Sequence, residues 1–426
     1  MVLSVEEINK KLKAGDAVVL TAQEVRESLL KGDTSVAQKV DVVTTGTRGL
    51  MSGTYAILSF PIAPRGTFER ATSATINGVP VIVGPCPNER LGILDLMVLG
   101  YSVSESDGHY GAGHLFRDLV ERKKLSVELT TNEGAELSSE VTIDDMQVAK
   151  LMATRHAFRN YVALTNPGGE SMKTIFHPSE FKPDMAELTF SGCGQLNPIQ
   201  NDPLLQAIGI GTSILVNGAI GYVTGLGTRS SEQSPNLMMI ADMKRMRADY
   251  MGGFVTSAGP ECAVSWAVPI PVIDNSVREA ISRLDRNIPL PIVDIKDRMQ
   301  IGLTDYGQVW DNVDLAVRVD ANACENCKEC DAEKKCPTAA ICFPRGIPTI
   351  DRKKCFNCGY CTTLCDKNVF KGRLGEVSFV AFGSEWKVPV VCRQSDRMRA
   401  LKIARELKKR ILDGSFKMTA MLERLL

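Results

Sequence analysis

Cysteine spacing constrains this chain more than any other feature of its sequence. Ten of its 13 cysteines lie between Cys324 and Cys392. Eight of these ten form two runs with short, regular gaps: Cys324-x2-Cys327-x2-Cys330-x5-Cys336 and Cys355-x2-Cys358-x2-Cys361-x3-Cys365. Three thiolates separated by two residues can bind three irons of one cubane, whereas the fourth cysteine of such a run binds the neighbouring cluster. The carboxy-terminal third is therefore expected to fold around metal clusters rather than around disulfides.

The same spacing is typical of bacterial two-cluster ferredoxins and predicts two 4Fe-4S clusters with crossed ligation. The ligands of the two clusters are expected to be Cys324, Cys327, Cys330 and Cys365 for one, and Cys355, Cys358, Cys361 and Cys336 for the other. Clusters of this type carry single electrons at low potential. The chain is thus expected to accept electrons from a low-potential donor.

Two alternatives stay open at this module. Cys-x2-Cys pairs also bind zinc, although the tripled spacing and the proline after Cys336 favour clusters. Five residues rather than three precede Cys336, and Asp366 replaces the usual proline after Cys365. The identity of the fourth ligands is therefore open, with Cys342 close by, whereas Cys392 is interpreted as a small buried side chain.

Length and charge limit what the rest of the chain can be. A chain of 426 residues exceeds one ordinary core, and we divide it into a catalytic domain at 1–315, a cluster domain at 316–371 and a carboxy-terminal segment at 372–426. Lys+Arg and Asp+Glu cancel at 50 each, so no global field favours nucleic acid. No apolar run reaches the ~18 residues of a membrane span. A cytoplasmic, reducing and anaerobic location is expected, and a homo-oligomer is left open.

Local patterns predict a large domain of mixed α and β structure, of the α/β or α+β class. Capping boxes at Ser4 and Thr21 each predict a short helix. Strands are expected where β-branched runs recur, at 40–45, 78–84, 125–129, 208–224 and 377–391, and a helix is expected at 275–284. Ser395 is expected to cap a final helix with a basic, solvated face and an apolar face of Met398, Leu401, Ala404, Leu407 and Leu412.

Three cysteines lie outside the cluster module, each in a turn-forming or glycine-flanked context: Cys86, Cys193 and Cys262. Buried, inert cysteine is the usual outcome for any one of them. Cys193 stands between two glycines, which leave its backbone approachable, and it is the best candidate for a reactive thiol. Together the three thiols could instead hold a third 4Fe-4S cluster with one open iron. Glycine clusters beside polar residues predict a pocket, and none matches a nucleotide-binding motif.

Several glycine-rich segments resemble the methanogen family of homocysteine-forming sulfurtransferases over roughly residues 1–315. The segments that carry this resemblance are Thr44-Thr-Gly-Thr-Arg-Gly49, Tyr110-Gly-Ala-Gly-His114, Gly194-Gln-Leu-Asn-Pro198, Asn201-Asp-Pro203, Ile208-Gly-Ile-Gly-Thr212 and Gly218-Ala-Ile-Gly-Tyr222. The fused cluster module resembles the branch called methanogenesis marker 16. This resemblance implies conversion of sulfoacetaldehyde and sulfide to 2-mercaptoethanesulfonate, coenzyme M, in an anaerobic archaeon. In homocysteine-forming relatives, reactive cysteines stand near the positions of Ser52 and Ser191.

The chemistry implied by this resemblance suggests further site residues. A sulfonate favours the planar donors of arginine, and Arg48 and Arg229 are preferred over Arg155 and Arg159 because they lie in glycine-rich segments. The imidazoles of His109 and His114 could protonate a leaving hydroxyl; helix capping is the alternative role. Homocysteine formation from aspartate semialdehyde is the alternative reaction. A pure electron-transfer protein that docks a redox partner is the alternative of another class.

Overall fold

The computed structural model describes residues 3–84, 90–157 and 160–426. Strand structure predominates and helices are few, so the expectation of a mixed α and β chain is confirmed. In chain order the helices are α1 Val5–Ala14, α2 Ala22–Leu30, α3 Val36–Lys39, α4 Ala112–Val120, α5 Pro198–Asn201, α6 Asn275–Ile281, α7 Tyr306–Trp310, α8 Asp331–Lys334 and α9 Arg397–Leu412. Within the described ranges, no helix has both the length and the apolar character to cross a bilayer.

The strands, also in chain order, are β1 Val19–Thr21, β2 Val42–Leu50, β3 Thr54–Pro61, β4 Ala71–Ile76, β5 Val79–Val83, β6 Ile93–Leu99, β7 Leu125–Thr131, β8 Glu136–Val141, β9 Val148–His156, β10 Ala163–Thr165, β11 Leu188–Phe190, β12 Ser213–Val216, β13 Ala219–Leu226, β14 Leu237–Asp242, β15 Gly252–Thr256, β16 Gly259–Pro271, β17 Pro289–Asp294, β18 Gln300–Asp305, β19 Arg318–Val319, β20 Ile341–Cys342, β21 Thr349–Ile350, β22 Phe370–Lys371, β23 Glu376–Ala381 and β24 Ser384–Arg393. They form two large sheets and two short strand pairs.

The first sheet, which we call the main sheet, has 14 strands. Their order is β1-β2-β16-β12-β13-β14-β9-β3-β6-β5-β4-β7-β8, with β15 paired to β16. Among the described residues of this sheet, β1 and β2 pair in parallel and the other strand pairs are antiparallel. Strands such as β3 and β13 alternate buried and less buried side chains, as expected when one face is covered. By contrast, β2 and β16 are buried along nearly their whole length. The most enclosed part of the sheet is therefore the β2–β16 pair.

The second sheet has six strands in the order β18-β17-β10-β11-β24-β23. Its apolar core includes Phe190, Leu290, Tyr306, Trp310 and Phe379. Strands from both sides of the cysteine region contribute, because β24 pairs in parallel with β11. The strands β19 and β22, which bound the cysteine region, pair with each other and bring its two ends together.

Short-range signals were reliable in the first part of the chain. Ser4 and Thr21 form the predicted capping boxes, each accepting a hydrogen bond from the amide of the glutamate three residues later. The predicted helix at 275–284 is α6, which ends earlier, at Ile281. The predicted pair of strands at 377–391 is present as β23 and β24.

The final helix differs from the prediction in two respects. Its N-cap is Asp396 rather than Ser395, because the Asp396 carboxylate accepts the amide proton of Arg399. Arg399 and its neighbour Arg397 are buried in the first turn, whereas Met398, predicted on the apolar face, is 40% exposed. Leu412 is also exposed. The basic residues at the start of this helix are thus buried, and they form ion pairs with carboxylates and hydrogen bonds with backbone carbonyls.

Candidate active site

The Cys193 loop follows β11 and can be built only with glycine on either side of the cysteine. Gly192 has φ +125°, and a Cβ there would lie 2.3 Å from the Tyr306 hydroxyl oxygen. Gly194 has φ +61°, and a Cβ there would lie 2.1 Å from an Asp285 carboxylate oxygen. Contacts this short are forbidden sterically, and positive φ is costly for residues with a Cβ. The two glycines therefore allow buried polar groups to contact the loop directly.

Hydrogen bonds from three parts of the chain hold this loop. The amide of Gly192 donates to Ser395 Oγ at 2.8 Å, and the amide of Gly194 donates to Asn160 Oδ1 at 3.0 Å. The Trp310 indole donates to the carbonyl of Gly192 at 3.1 Å. Because these groups come from separate parts of the fold and act together, the position of the loop is well determined.

The Cys193 thiol is fully buried beside β2. Thr47 Oγ1 donates to Cys193 Sγ at 3.6 Å, and the thiol points to the carbonyl of Arg48 at 3.8 Å. Burial raises the pKa of the thiol, so the proton stays on sulfur near neutral pH. Adjacent to the loop is a cavity of about 20 Å³, lined in part by Thr47, Ser191 and Gly192. A cavity of this size holds roughly one water-sized molecule.

Arg48 links this thiol to the cysteine module. Its carbonyl accepts the Cys193 thiol, whereas its guanidinium carbon lies 5.3 Å from the centre of the Phe356 ring. Phe356 stands within the second cysteine run. The guanidinium also donates to the carbonyl of Asp249 at 3.0 Å and lies 3.6 Å from the Asp396 carboxylate. Burial, aided by the charge of Arg399, lowers the pKa of Arg48 to about 9, and the side chain remains charged at neutral pH.

Four cysteines, which we call the inner cysteine group, lie close together: Cys336, Cys355, Cys358 and Cys361. Of these, Cys358 packs with Phe254 and Ala263 of the main sheet. Burial, followed by the charges of neighbouring thiols that include Cys336, raises the pKa of Cys355 to about 12 and also raises the pKa of Cys361. Cys358 is buried and hydrogen-bonds with Cys392 of β24. The group therefore has no exposed member.

Polar contacts fix the inner group to β24 of the second sheet and to the start of α9. The amide of Arg393 donates to the carbonyl of Cys358 at 2.9 Å, and the guanidinium of Arg399 donates to the carbonyl of Cys355. The Asn357 amide donates to Asp396 at 3.0 Å. Since Asp396 also contacts Arg48, a single buried carboxylate joins the inner group to β2.

The other four cysteines, which we call the outer cysteine group, surround a cavity of about 460 Å³ on the far side of the module: Cys324, Cys327, Cys330 and Cys365. Cys327 is exposed, and lysine and glutamate side chains line the same cavity. Cys336 lies near cysteines of the second run, whereas Cys365 lines this cavity with the first three cysteines of the first run. Cys342 does not line this cavity.

Cysteine thiolates are the donors that 4Fe-4S clusters require, and the cysteines of both groups are free of disulfides. In the described part of the chain, no group of three or more His, Cys, Asp or Glu side chains is arranged to hold a metal ion. Cluster binding by either group therefore stays a prediction.

The remaining predicted site residues are divided between one cavity and the surface. Arg48 and His114 line a cavity of about 130 Å³ between the main sheet and the inner group. His109 and Arg229 are exposed, and neither lines this cavity. Cys86 and Arg159 lie outside the described residues. The geometry thus brings together one histidine and one arginine of the candidates.

Cys262 lies on β16 in a different environment from Cys193. It is fully buried, and burial raises the pKa of its thiol to about 12. Its hydrogen-bond neighbour Thr54 contacts His156 Nε2 at 2.7 Å, and the Trp266 indole donates to His156 Nδ1 at 3.0 Å. Burial lowers the pKa of His156 to about 3, so this imidazole is neutral. A third cluster on Cys86, Cys193 and Cys262 stays a prediction.

Sequence reasoning missed the buried ionic residues that surround Cys193. Asp285 is fully buried and lies 2.7 Å from an Arg397 guanidinium nitrogen, and Asp396 pairs with Arg399 at 2.9 Å. The one local signal was the dense run of polar residues at 393–399, directly before the final helix and in its first turn. Nothing in that run shows that it faces inward.

Comparison with known proteins shows the family of the chain. The family described as "Homocysteine biosynthesis enzyme, sulfur-incorporation" matches residues 17–418, and the chain belongs to this family. The matched range includes both cysteine groups and the whole of α9.

Relatives come from methanogens. An uncharacterized protein of Methanothermobacter thermautotrophicus is 42% identical over 416 residues, which is 97% of this chain and 94% of that protein. An uncharacterized protein of Methanocaldococcus jannaschii is 42% identical, over 94% of this chain and 98% of that protein. The L-aspartate semialdehyde sulfurtransferase of Methanosarcina acetivorans is 31% identical, over 72% of this chain and 62% of that protein. No solved structure matches the chain.

Proposed function

We propose that this chain is an iron-sulfur enzyme that uses sulfide and two electrons to convert an aldehyde into a thiol. Membership of a sulfur-incorporating family supports the sulfur chemistry. The observation that carries the redox part is the position of Arg48, whose carbonyl accepts the Cys193 thiol while its guanidinium packs on Phe356 of the second cysteine run. Arg48 and Phe356 therefore connect the Cys193 thiol with the inner cysteine group.

The reaction balances with the groups proposed. Hydrosulfide adds to the aldehyde carbon and gives a thiohemiacetal; loss of water then leaves a carbon-sulfur double bond. Two electrons and two protons reduce that double bond to the thiol, so one aldehyde, one hydrogen sulfide, two electrons and two protons give one thiol and one water. Two 4Fe-4S clusters, held by the outer and inner cysteine groups, would supply the electrons one at a time.

The residues around Cys193 are suited to holding a sulfur atom. The Asn197 amide donates to Thr47 Oγ1 at 3.4 Å, which turns the threonine hydroxyl proton toward the thiol. The cavity of about 20 Å³ beside the loop has room for one small species such as hydrosulfide. Thr47 and Asn197 line this cavity and would thus bind and orient sulfur next to Cys193, with burial excluding bulk water from the reacting atoms.

Aspartate semialdehyde is the substrate that the named relatives favour. Two of them, from Methanosarcina acetivorans and Methanocaldococcus jannaschii, are L-aspartate semialdehyde sulfurtransferases, each 31% identical to this chain. This supports the alternative of homocysteine formation over the coenzyme M interpretation drawn from the resemblance.

Sulfoacetaldehyde remains a second candidate on one structural observation. The carboxylates that line the cavity beside Arg48 are Asp118 and Glu121, and both pair with basic side chains of the chain itself. An amino group of aspartate semialdehyde would have to compete with those pairs, whereas a sulfonate could bind Lys354, a cation of the same cavity that takes no part in them.

Anaerobic assays of the reconstituted protein test the proposal. The protein, sulfide and dithionite are mixed with either aldehyde, and homocysteine and 2-mercaptoethanesulfonate are quantified. Formation of one thiol that requires both sulfide and reductant is the expected result, and the aldehyde that gives it identifies the substrate. If neither thiol forms while the clusters are reduced and reoxidised by a partner protein, an electron-transfer protein is the better account.

The iron content tests the cofactors separately. Two 4Fe-4S clusters correspond to about eight irons per chain, and a third cluster on the isolated cysteines to about twelve. A protein that binds only one or two zinc ions would contradict the proposal.

A further inference from the structure

The cavity beside Arg48 has walls from three parts of the chain. β2 contributes Arg48, α4 contributes His114 and Arg117, and the cysteine module contributes Thr338 and Lys354. Its volume is about 130 Å³, several times that of the cavity beside Cys193. Thr338 follows the Cys336-Pro337 pair, and Lys354 directly precedes Cys355. The inner cysteine group therefore positions one wall of this cavity.

The charges around the cavity favour an anion. Four basic side chains, Arg48, Arg117, Lys123 and Lys354, outnumber the two carboxylates. The carboxylates are already bound. Lys123 and the Tyr110 hydroxyl donate to Asp118 at 2.6 and 2.9 Å, and Arg117 donates to Glu121 at 2.9 Å.

Arg48 supplies a buried guanidinium at this place. The residue is only 1% exposed, and its Nε lies 3.6 Å from the Asp396 carboxylate without forming a hydrogen bond within the described residues. A bound anion that accepts the remaining guanidinium protons would stabilise this buried charge. The planar guanidinium is also the side chain best suited to a carboxylate or sulfonate.

His114 adds a neutral donor on the opposite wall. Its Nδ1 accepts the amide proton of Gly111 at 3.2 Å, which places the imidazole proton on Nε2. The ring packs against Gly253, where a Cβ would lie 2.2 Å from it, and stacks on Tyr110 with ring centres 5.6 Å apart. Close packing on both faces fixes the direction of this donor.

We propose that this cavity binds the acidic group of the aldehyde substrate, a carboxylate or a sulfonate, between the main sheet and the inner cysteine group. The inference rests on the proposed function, which makes the substrate an aldehyde that carries such a group. Binding there holds the substrate against both Arg48 and the inner group. The cysteine module thus supplies part of the substrate pocket as well as electrons.

Titration calorimetry on the anaerobic holoprotein tests this pocket without any turnover. The probes are 2-hydroxyethanesulfonate and L-homoserine, the unreactive alcohols that correspond to the two candidate aldehydes. At least one probe is expected to bind with saturation. Lys354→Gln should weaken that binding by about threefold to tenfold, because it removes one cation from the pocket wall. Lys353→Gln removes the same charge from the adjacent residue, whose side chain does not line the cavity, and should leave affinity unchanged.

A spectroscopic readout accompanies the titration. The probe that binds should alter the EPR signal of the inner cluster in the reduced protein, and iron content and thermal unfolding should match between the two lysine variants. Absence of binding by both probes, equal affinity in Lys354→Gln and the unaltered protein, or an unaltered EPR spectrum would each overturn the pocket. If the pocket passes these tests but no thiol forms in the assay, the proposed reaction fails and the anion site stands. If thiol forms but Lys354→Gln binds the probe with normal affinity, the proposed anion site fails and the proposed reaction stands.

Discussion

The outer and inner cysteine groups each contain three cysteines separated by two residues, but their surroundings in the structure differ. The outer group borders an outward-facing cavity and includes the exposed Cys327. The inner group includes the buried Cys358, and Phe356 beside it packs on Phe254 of the main sheet with ring centres 5.1 Å apart. The sequence spacing predicts which cysteines act as ligands. The surrounding structure determines what each group can contact.

This difference in exposure suggests a direction for electron transfer through the cysteine module. A partner can approach the outer group from solvent, whereas the inner group contacts β24 and lies beside Arg48 and Asp396. Electrons would therefore arrive at the outer group and leave from the inner group toward Cys193. Substitutions in each group and along the path to Cys193 can break or sharpen that order.

The largest expected effect comes from removing one cysteine of each group. Cys358→Ser should reduce thiol formation to below about 1% with any reductant, because the proposed inner cluster would lose one of its ligands. Cys327→Ser should abolish turnover with a protein donor but retain at least about a third of the dithionite-driven rate, since dithionite can reduce the inner cluster directly. Both are measured by thiol production with iron content as the control. Equal losses with dithionite would remove the distinction between the groups.

The next largest effect separates the two isolated cysteines of the main domain. Cys193→Ala should lower thiol formation by about a hundredfold or more, since it removes the thiol that contacts Thr47 and Arg48. Cys262→Ala is the matched control, because that thiol is equally buried but lies in the Thr54 and His156 network. Each substitution should cost about 1–2 kcal/mol in urea unfolding. A greater loss of activity from Cys262→Ala would move the sulfur site to β16.

The proposed electron path from the inner group to Cys193 depends on the backbone conformation of the Cys193 loop. Gly192→Ala should destabilise the protein by about 2–4 kcal/mol, because the new methyl group meets the Tyr306 hydroxyl and the backbone has positive φ. Thermal or urea unfolding measures this cost.

Gly66→Ala is the comparison for that substitution. Gly66 also has positive φ, but a Cβ there meets no atom within 4 Å. It should cost less, and only through backbone strain. Equal costs at the two glycines would mean that the contact with Tyr306 contributes nothing.

The smallest expected effect is a pH dependence of stability that arises from His156 in the main sheet, away from both cysteine groups. Burial lowers the pKa of His156 from 6.5 to about 3. The unfolded chain therefore binds a proton at this residue that the folded chain does not, and the free energy of unfolding should fall as pH drops from 6.5 toward 3. The slope from this one residue is at most about 1.4 kcal/mol per pH unit. His156→Gln should reduce the slope between pH 5 and 6.5, and an unchanged slope would show that His156 is not responsible.

Local chemistry made parts of this structure predictable. The capping boxes at Ser4 and Thr21 depend on residues three apart, and the cysteine runs depend on gaps of two, so both patterns are visible in a short window. Arg48 was selected because it stands in a glycine-rich segment, and it does line a cavity. Arg229 was selected on the same ground and is exposed, because neighbouring glycines do not determine whether a side chain faces inward.

Contacts between distant segments could not be predicted. Asp396 reaches Arg48 only because an isolated bridge between Gly49 and Ser395 brings the start of α9 beside β2. The basic residues of that helix were interpreted as a solvated face, since arginine is usually exposed. The burial of Arg397 and Arg399 depends on Asp285 and Asp396, whose own positions are set by sheets assembled from separate parts of the chain.

A single-turnover experiment tests the central claim most directly. The anaerobic holoprotein is reduced, freed of excess reductant and mixed with sulfide and the aldehyde that supports turnover. One thiol should form for every two electrons lost from the clusters, as absorbance and EPR measure them. Thiol formation without reoxidation of the clusters, or reoxidation without thiol, would contradict the account.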